Sequence, residues 1–209
     1  MSRVLVISPH PDDESIGCGG TLRKHAAQGD RVEVVFLTSG ENGGHGRAPE
    51  ETIRLREGEA RRAARILGLS AVEFWREPDG AIRVTPPLVQ RVRAKLKQAR
   101  PDVIYVTHDL EMHPDHRAAV RLVQRALHGL TGRKPDVLMY EVWTPMPAMD
   151  HIEDISKFMA KKLQAVRAYR TQCAVVDFVE AVRGLNRYRG EMHSWPGGDY
   201  AEVFTRLRA

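Results

Sequence analysis

The stretch RVLVISPHPDDESIGCGG, residues 3–20, decides how this chain is read. Val4-Leu5-Val6-Ile7 is a short, unbroken apolar run rich in β-branched residues, the pattern of a strand covered on both faces. Ser8-Pro9-His10-Pro11-Asp12-Asp13-Glu14 interrupts it with two prolines, and Gly17-Cys18-Gly19-Gly20 marks a glycine-rich helix start. A strand, a polar loop and a helix in that order form the first unit of an α/β sheet. The glycines are not a dinucleotide-binding fingerprint, because the third is misplaced and the loop before them is long. Their expected role is close helix–strand packing.

Outward from this unit the same alternation recurs. Val32–Leu37, Ala71–Trp75, Val103–Val106 and Val137–Val142 read as further short strands. Between them, Pro49–Leu67 carries Ile53, Ala60, Ala63, Ala64 and Leu67 at helical spacing, and Gly68 stops it. Pro86 or Pro87 opens a helix through Leu96, and Pro114 opens another through about Leu127. Strand–helix repetition at this pitch implies right-handed crossovers. The expected fold is α/β: a single domain over 1–209 with a Rossmann-like, mostly parallel, doubly wound sheet. The sheet core should occupy about 1–145, and helices and a loop about 146–209, the helices at Ile155–Tyr169 and Ala174–Leu185. Gly40–Pro49 is the most loop-like stretch, placed to act as a lid.

Composition excludes several classes. With 209 residues, folding should bury roughly 70% of the unfolded chain's surface, so a core needs no staples. The 32 Lys and Arg against 27 Asp and Glu give a net charge of +5. Nucleic-acid binding would need those cations on one face with aromatics between them; they are instead spread over several helices, and aromatics are 6%. Cys18 and Cys173 make no metal-ligand spacing and suit a reduced, cytoplasmic protein. No signal peptide is expected from Met1-Ser2-Arg3 and the short run after it, and no apolar run nears the roughly 18 residues a membrane helix needs. Nine histidines are more than a packed core requires.

Their placement matters most. His10 and the Asp12-Asp13 pair follow the first strand; Thr107-His108-Asp109-Leu110-Glu111-Met112-His113-Pro114-Asp115-His116 follows the fourth. Both clusters lie at carboxyl ends of parallel strands, the edge where open α/β sheets bind ligands. Either alone reads as turn and cap chemistry; two on one edge can converge. A catalytic metal takes three protein donors and keeps one position open, and His10, Asp13 and His116 can supply that set. A spare carboxylate and a spare imidazole then remain for acid–base work.

The PHPDDE and HPDH pair resembles the LmbE/PIG-L family of metal-dependent N-acetylglucosamine de-N-acetylases. Arg56-Glu57-Gly58-Glu59-Ala60, with Ala63-Ala64 and Leu67-Gly68, is similar to the family's helix pattern. Tyr140-Glu141-Val142-Trp143-Thr144-Pro145 and Gly184-Leu185-Asn186-Arg187-Tyr188-Arg189-Gly190 resemble the branch acting on bacillithiol precursors. The resemblance implies one Zn²⁺ per chain on His10, Asp13 and His116; Fe(II) fits the same donor set. It implies Asp12 as general base, His113 as the imidazole stabilising the oxyanion and protonating the leaving amine, and Asp115 as the carboxylate that orients His113 and raises its pKa. Arg56 is a candidate substrate contact by its motif. His193, in the C-terminal Gly190–Gly198 loop, is another by its placement. One departure is Glu111, where some relatives carry a tyrosine, so that tyrosine's role is not carried over. His108 is a candidate for supporting the ligands from behind.

The implied reaction is hydrolysis of the acetamide of an N-acetylglucosaminyl small molecule, with GlcNAc-malate of bacillithiol biosynthesis first, releasing acetate and the amine. The alternatives are another GlcNAc conjugate or chito-oligosaccharide, or phosphoester hydrolysis. The last usually takes two metals about 3.5–4 Å apart, and ligands can be counted for only one. No membrane or nucleic-acid partner is expected, and family members assemble into homo-oligomers.

Overall fold

The computed structural model of the chain describes residues 1–193 and 198–207. Five parallel strands form the sheet core: β1 (Arg3–Ser8), β2 (Arg31–Phe36), β3 (Ala71–Phe74), β4 (Val103–Thr107) and β5 (Asp136–Tyr140). They lie in the order β3-β2-β1-β4-β5, so the direction of winding reverses beside β1. Alternation along β1 shows why both faces are covered. Leu5 and Ile7 pack with Val92, Leu96, Leu122 and Val123, while Val4 and Val6 pack with Leu22, Ala60, Ala63 and Leu67 on the opposite side. The first face belongs to α3 (Pro86–Ala99) and α4 (Pro114–His128), the second to α1 (Asp13–Ala27) and α2 (Pro49–Leu67). This is the doubly wound α/β fold that the alternation of strands and helices predicts.

The C-terminal third corrects the expectation of helices and a loop alone. Two strands, β6 (His151–Asp154) and β7 (Ala201–Arg206), extend the sheet past β5, both pairings antiparallel. The helices there are α5 (Met159–Val166), α6 (Arg170–Cys173) and α7 (Phe178–His193), so Ile155 and Ala174 lie outside them. Gly190 to His193 is helical, not loop. His193 ends α7, and its side chain lies outside the described residues, so the structure places no substrate contact there.

β7 has a structural reason to join the sheet. Helix α1 is kinked at Cys18, and the amides of Gly20 and Thr21 donate to the Glu202 carboxylate of β7 at 2.8 and 2.7 Å. Lys162 of α5, fully buried, completes that carboxylate's pairing at 2.6 Å. The α1 glycines have the packing role expected of them. A Cβ at Gly17 would lie 2.1 Å from the Tyr140 ring and 2.8 Å from the Glu141 carbonyl oxygen. Gly17→Ala should therefore lower stability by about 1–3 kcal/mol, read as a shift of the urea midpoint; an unchanged midpoint would mean the helix can back away freely.

Candidate active site

Both histidine clusters arrive at the carboxyl edge of the sheet, one from β1 and one from β4. Hydroxyls hold the strand ends: Ser8 donates to the His10 carbonyl at 3.0 Å, and Thr107 to the His116 carbonyl at 2.9 Å. Helix α1 starts at Asp13, and α4 starts with Pro114 at its first position, so His116 lies in the first turn of α4. Asp13, in the first turn of α1, accepts the His10 backbone N–H at 2.9 Å.

The three donors converge. Asp13 Oδ2 lies 3.2 Å from His10 Nδ1 and 3.2 Å from His116 Nε2, and the two nitrogens are 3.3 Å apart. A tetrahedral ion with bonds of about 2.0–2.1 Å separates its ligands by about 3.3 Å, so the triangle has the size of one face of such a site. All three side chains are buried. Burial would lower both imidazole pKa values, but the carboxylates outweigh it: Asp115, Asp13 and Asp79 raise His10, and Asp13 brings His116 up to about 9. Burial would raise Asp13, yet His116 and His10 pull it below the usual carboxylate range. The centre stabilises positive charge, as a cation site must. The residues fit a divalent metal.

The outer face of His10 adds a residue the sequence reading missed. Its Nε2 lies 3.1 Å from Asp79 Oδ1 and 3.2 Å from Asp115 Oδ2, so a proton there leaves Nδ1 free to ligate. Asp79 sits in Pro78-Asp79-Gly80 after β3, which reads as a turn. Its place at the carboxyl end of a parallel strand is the signal that could have found it. Glu41 and Asn42 clasp it: Glu41 accepts the Asp79 N–H at 2.9 Å, and the Asn42 N–H donates to its carboxylate at 2.9 Å. The 40–49 loop, with a 3-10 turn at Glu41–Gly44, is thereby tied to the site.

Asp115 corrects its expected role. Its carboxylate does not reach the His113 ring; it accepts the Gly80 and Ile82 amides at 2.8 and 3.0 Å and faces His10. The Asp115 backbone N–H, not its carboxylate, bonds the His113 ring, donating to Nδ1 at 3.2 Å. This follows from α4 starting at Pro114, which leaves His113 as N-cap with its ring folded over the first amides. His113 is then a neutral imidazole with its proton on Nε2. Burial and the neighbouring His10 and His116 lower its pKa rather than raise it.

Asp12 is held in a backbone conformation rare for a side-chain-bearing residue, with φ 129°. Its N–H donates to the Glu14 carboxylate at 3.2 Å, which in turn accepts from Tyr169 and Ser15 hydroxyls at 2.6 Å each. This buried network opposes relaxation of the backbone. Arg56 does not extend freely into solvent: it donates to Asp12 Oδ2 at 2.9 Å, the Pro11 carbonyl at 2.6 Å and the Gly40 carbonyl at 3.0 Å. Burial pushes Asp12 up to about 7 even though Arg56 opposes it. A base with that pKa is matched to neutral pH.

Glu111 takes no tyrosine-like place in the cleft. It is buried, accepts the Val142 and Trp143 amides at 2.6 and 3.0 Å, and lies 3.6 Å from His116 Nδ1. His108 also lies behind the site, bonding the Thr144 carbonyl at 2.7 Å and the Leu110 amide at 3.2 Å. Before the centre opens a cleft of about 310 Å³, bordered by His10, Asp12, Arg56, Asp79, His113 and Trp143.

Fold and site together define a doubly wound α/β protein with a two-histidine, one-carboxylate centre at its ligand-binding edge. The chain belongs to the PIG-L family, described as GlcNAc-PI de-N-acetylase, whose pattern it matches over residues 5–127. It is 30% identical over 189 residues to a diacetylchitobiose deacetylase of Thermococcus kodakarensis, covering 82% of this chain and 70% of that protein. It is 28% identical to a probable N-acetyl-alpha-D-glucosaminyl L-malate deacetylase 2 of Bacillus anthracis, over 82% of this chain and 81% of the relative. The solved structure of the conserved protein TT1542 from Thermus thermophilus superposes with a TM-score of 0.86 and 34% identity, covering 100% of this chain and 95% of that one. No described helix is long and apolar enough to cross a membrane.

Proposed function

We propose that the protein is a metal-dependent N-deacetylase that hydrolyses the acetamide of an N-acetylglucosaminyl small molecule, GlcNAc-malate being the first candidate. The observation that carries this reading is the 3.2–3.3 Å triangle of His10, Asp13 and His116 with Asp12 and His113 beside it, at the end of a sugar-sized cleft. A divalent ion held by that triangle, zinc by its chemistry, would supply Lewis-acid polarisation of the amide carbonyl and make water more acidic.

The chain's own groups do the proton work. Arg56 occupies Asp12 Oδ2, leaving Oδ1 to accept a proton from the attacking water. The same proton then passes from Asp12 to the departing nitrogen, so one carboxyl serves as base and then acid. His113 Nε2–H donates to the amide oxygen as negative charge grows there, a role for a neutral imidazole. Asp79 and Asp115 hold His10 in one tautomer, and Arg56 fixes Asp12 in place.

The reading is tested by an amine-release screen over GlcNAc, GlcNAc-malate, GlcNAc-inositol and diacetylchitobiose with zinc or Fe(II) supplied. Turnover of at least one, lost on chelation and restored by metal, is the expected result. No amine from any of the four would overturn it.

A further inference from the structure

We propose that Glu111 is the positioning residue of His116: its carboxylate takes the Nδ1 proton of that imidazole and so turns the Nε2 lone pair toward His10 and Asp13. This role rests on reading the triangle of His10, Asp13 and His116 as a metal site. His116 presents Nε2 to Asp13 Oδ2 at 3.2 Å and to His10 Nδ1 at 3.3 Å. A neutral imidazole that ligates through Nε2 carries its proton on Nδ1. That nitrogen is buried without a hydrogen-bond partner among the described residues, and Glu111 Oε2 lies 3.6 Å from it. The separation is about 0.4 Å beyond an ordinary N–H···O bond, so a small tilt of the ring closes it.

Both groups need that contact. The Glu111 side chain is fully buried. Its Oε1 accepts the Val142 and Trp143 N–H groups at 2.6 and 3.0 Å, whereas Oε2 has a longer bond from Trp143 at 3.3 Å. A buried carboxylate oxygen short of donors and a buried N–H short of an acceptor are each costly, and here each answers the other. His108 does not compete, although its Nε2 lies 3.5 Å from Oε1. Its Nε2 proton goes to the Thr144 carbonyl at 2.7 Å, and its Nδ1 accepts the Leu110 N–H at 3.2 Å. The loop that carries Glu111 is pinned as well. Arg117 donates to the Glu111 and Met112 carbonyls at 2.5 and 2.6 Å, and the Met112 N–H to the Thr144 hydroxyl at 3.0 Å. A carboxylate fixed in this place attracts a proton on Nδ1 and repels a lone pair there, so it selects the ligating tautomer. His10 has the matching arrangement with Asp79 and Asp115. Each histidine of the triangle thus has a carboxylate behind it, the usual way a ligating imidazole is oriented and made more basic.

Glu111→Gln separates this role from one of holding the 142–143 backbone. Glutamine keeps the size and an oxygen for the Val142 and Trp143 amides, and its NH2 then faces His116 Nδ1. Donor meets donor, which favours the tautomer with the proton on Nε2 and blocks ligation. Zinc affinity is measured on the intact protein by competition with a chromophoric chelator. The Kd should rise by about 10–100-fold in Glu111→Gln, while the melting temperature without zinc stays near that of wild type. An unchanged Kd in the folded variant would overturn the proposal, because a merely structural glutamate is served equally well by glutamine. Should the variant fail to fold, imidazole nitrogen NMR of zinc-loaded wild type decides: His116 should be protonated at Nδ1, and the opposite tautomer would overturn the proposal alone. A wild type that takes up no zinc would remove the metal site and this role together. Zinc binding is read without turnover, so a negative amine-release screen would sink the deacetylase reading and leave this result standing.

Discussion

Asp12→Asn should cut deacetylation by about 10²–10⁴-fold, the range a positioned general base contributes, while the metal content stays at the wild-type level. The substitution keeps size and leaves an oxygen that can accept from Arg56 at the place Oδ2 now holds. It removes the proton acceptor alone. Asp12 donates nothing to the triangle of His10, Asp13 and His116, so metal analysis should show no loss. Buried Arg56 would face a neutral partner, so the thermal melt of the variant must accompany its kinetics. A folded, metal-loaded Asp12→Asn enzyme within tenfold of wild type would remove Asp12 from the chemistry.

His116→Ala should abolish both stoichiometric metal and turnover. Two donors remain in that variant, His10 and Asp13, one short of the three a catalytic ion takes. A stability readout makes the point independent of activity. A ligand at about 100 times its Kd stabilises the native state by about 2.7 kcal/mol, which for a chain of this size is a rise in Tm of roughly 5–10 °C. Added zinc should produce that rise in wild type and none in His116→Ala. An equal rise in both proteins would place the ion elsewhere.

The metal-ligand candidates were legible because each set is local. His10 and Asp13 are three residues apart where β1 passes into α1, and His116 lies in the first turn of the helix after the strand next to β1. Asp79 was not legible, since its turn-like surroundings hide that β3 delivers it to the same edge. Asp115 was misread for a related reason. Its spacing from His113 suggests a side-chain pair, whereas the start of α4 offers His113 a backbone amide and leaves the carboxylate to the 80–82 amides. Strand β6 has one apolar residue in four, and β7 buries Glu202 where alternation would lead one to expect solvent. Nothing local marks either as part of the sheet.

The opening stretch of residues 3–20 already determined a buried strand, a His/Asp loop and a glycine-rich helix, because each depends on short-range rules of burial, turn and packing. With its HPDH partner it brought two histidines and a carboxylate to one edge of the sheet, the set proposed to hold the metal. Only the tertiary structure decided what stands behind that set and beside it. The Glu14–Tyr169 support of Asp12 and the Asp79 and Asp115 grip on His10 join residues up to 155 positions apart. Such pairings arise when helices and strands dock, and no local pattern encodes them.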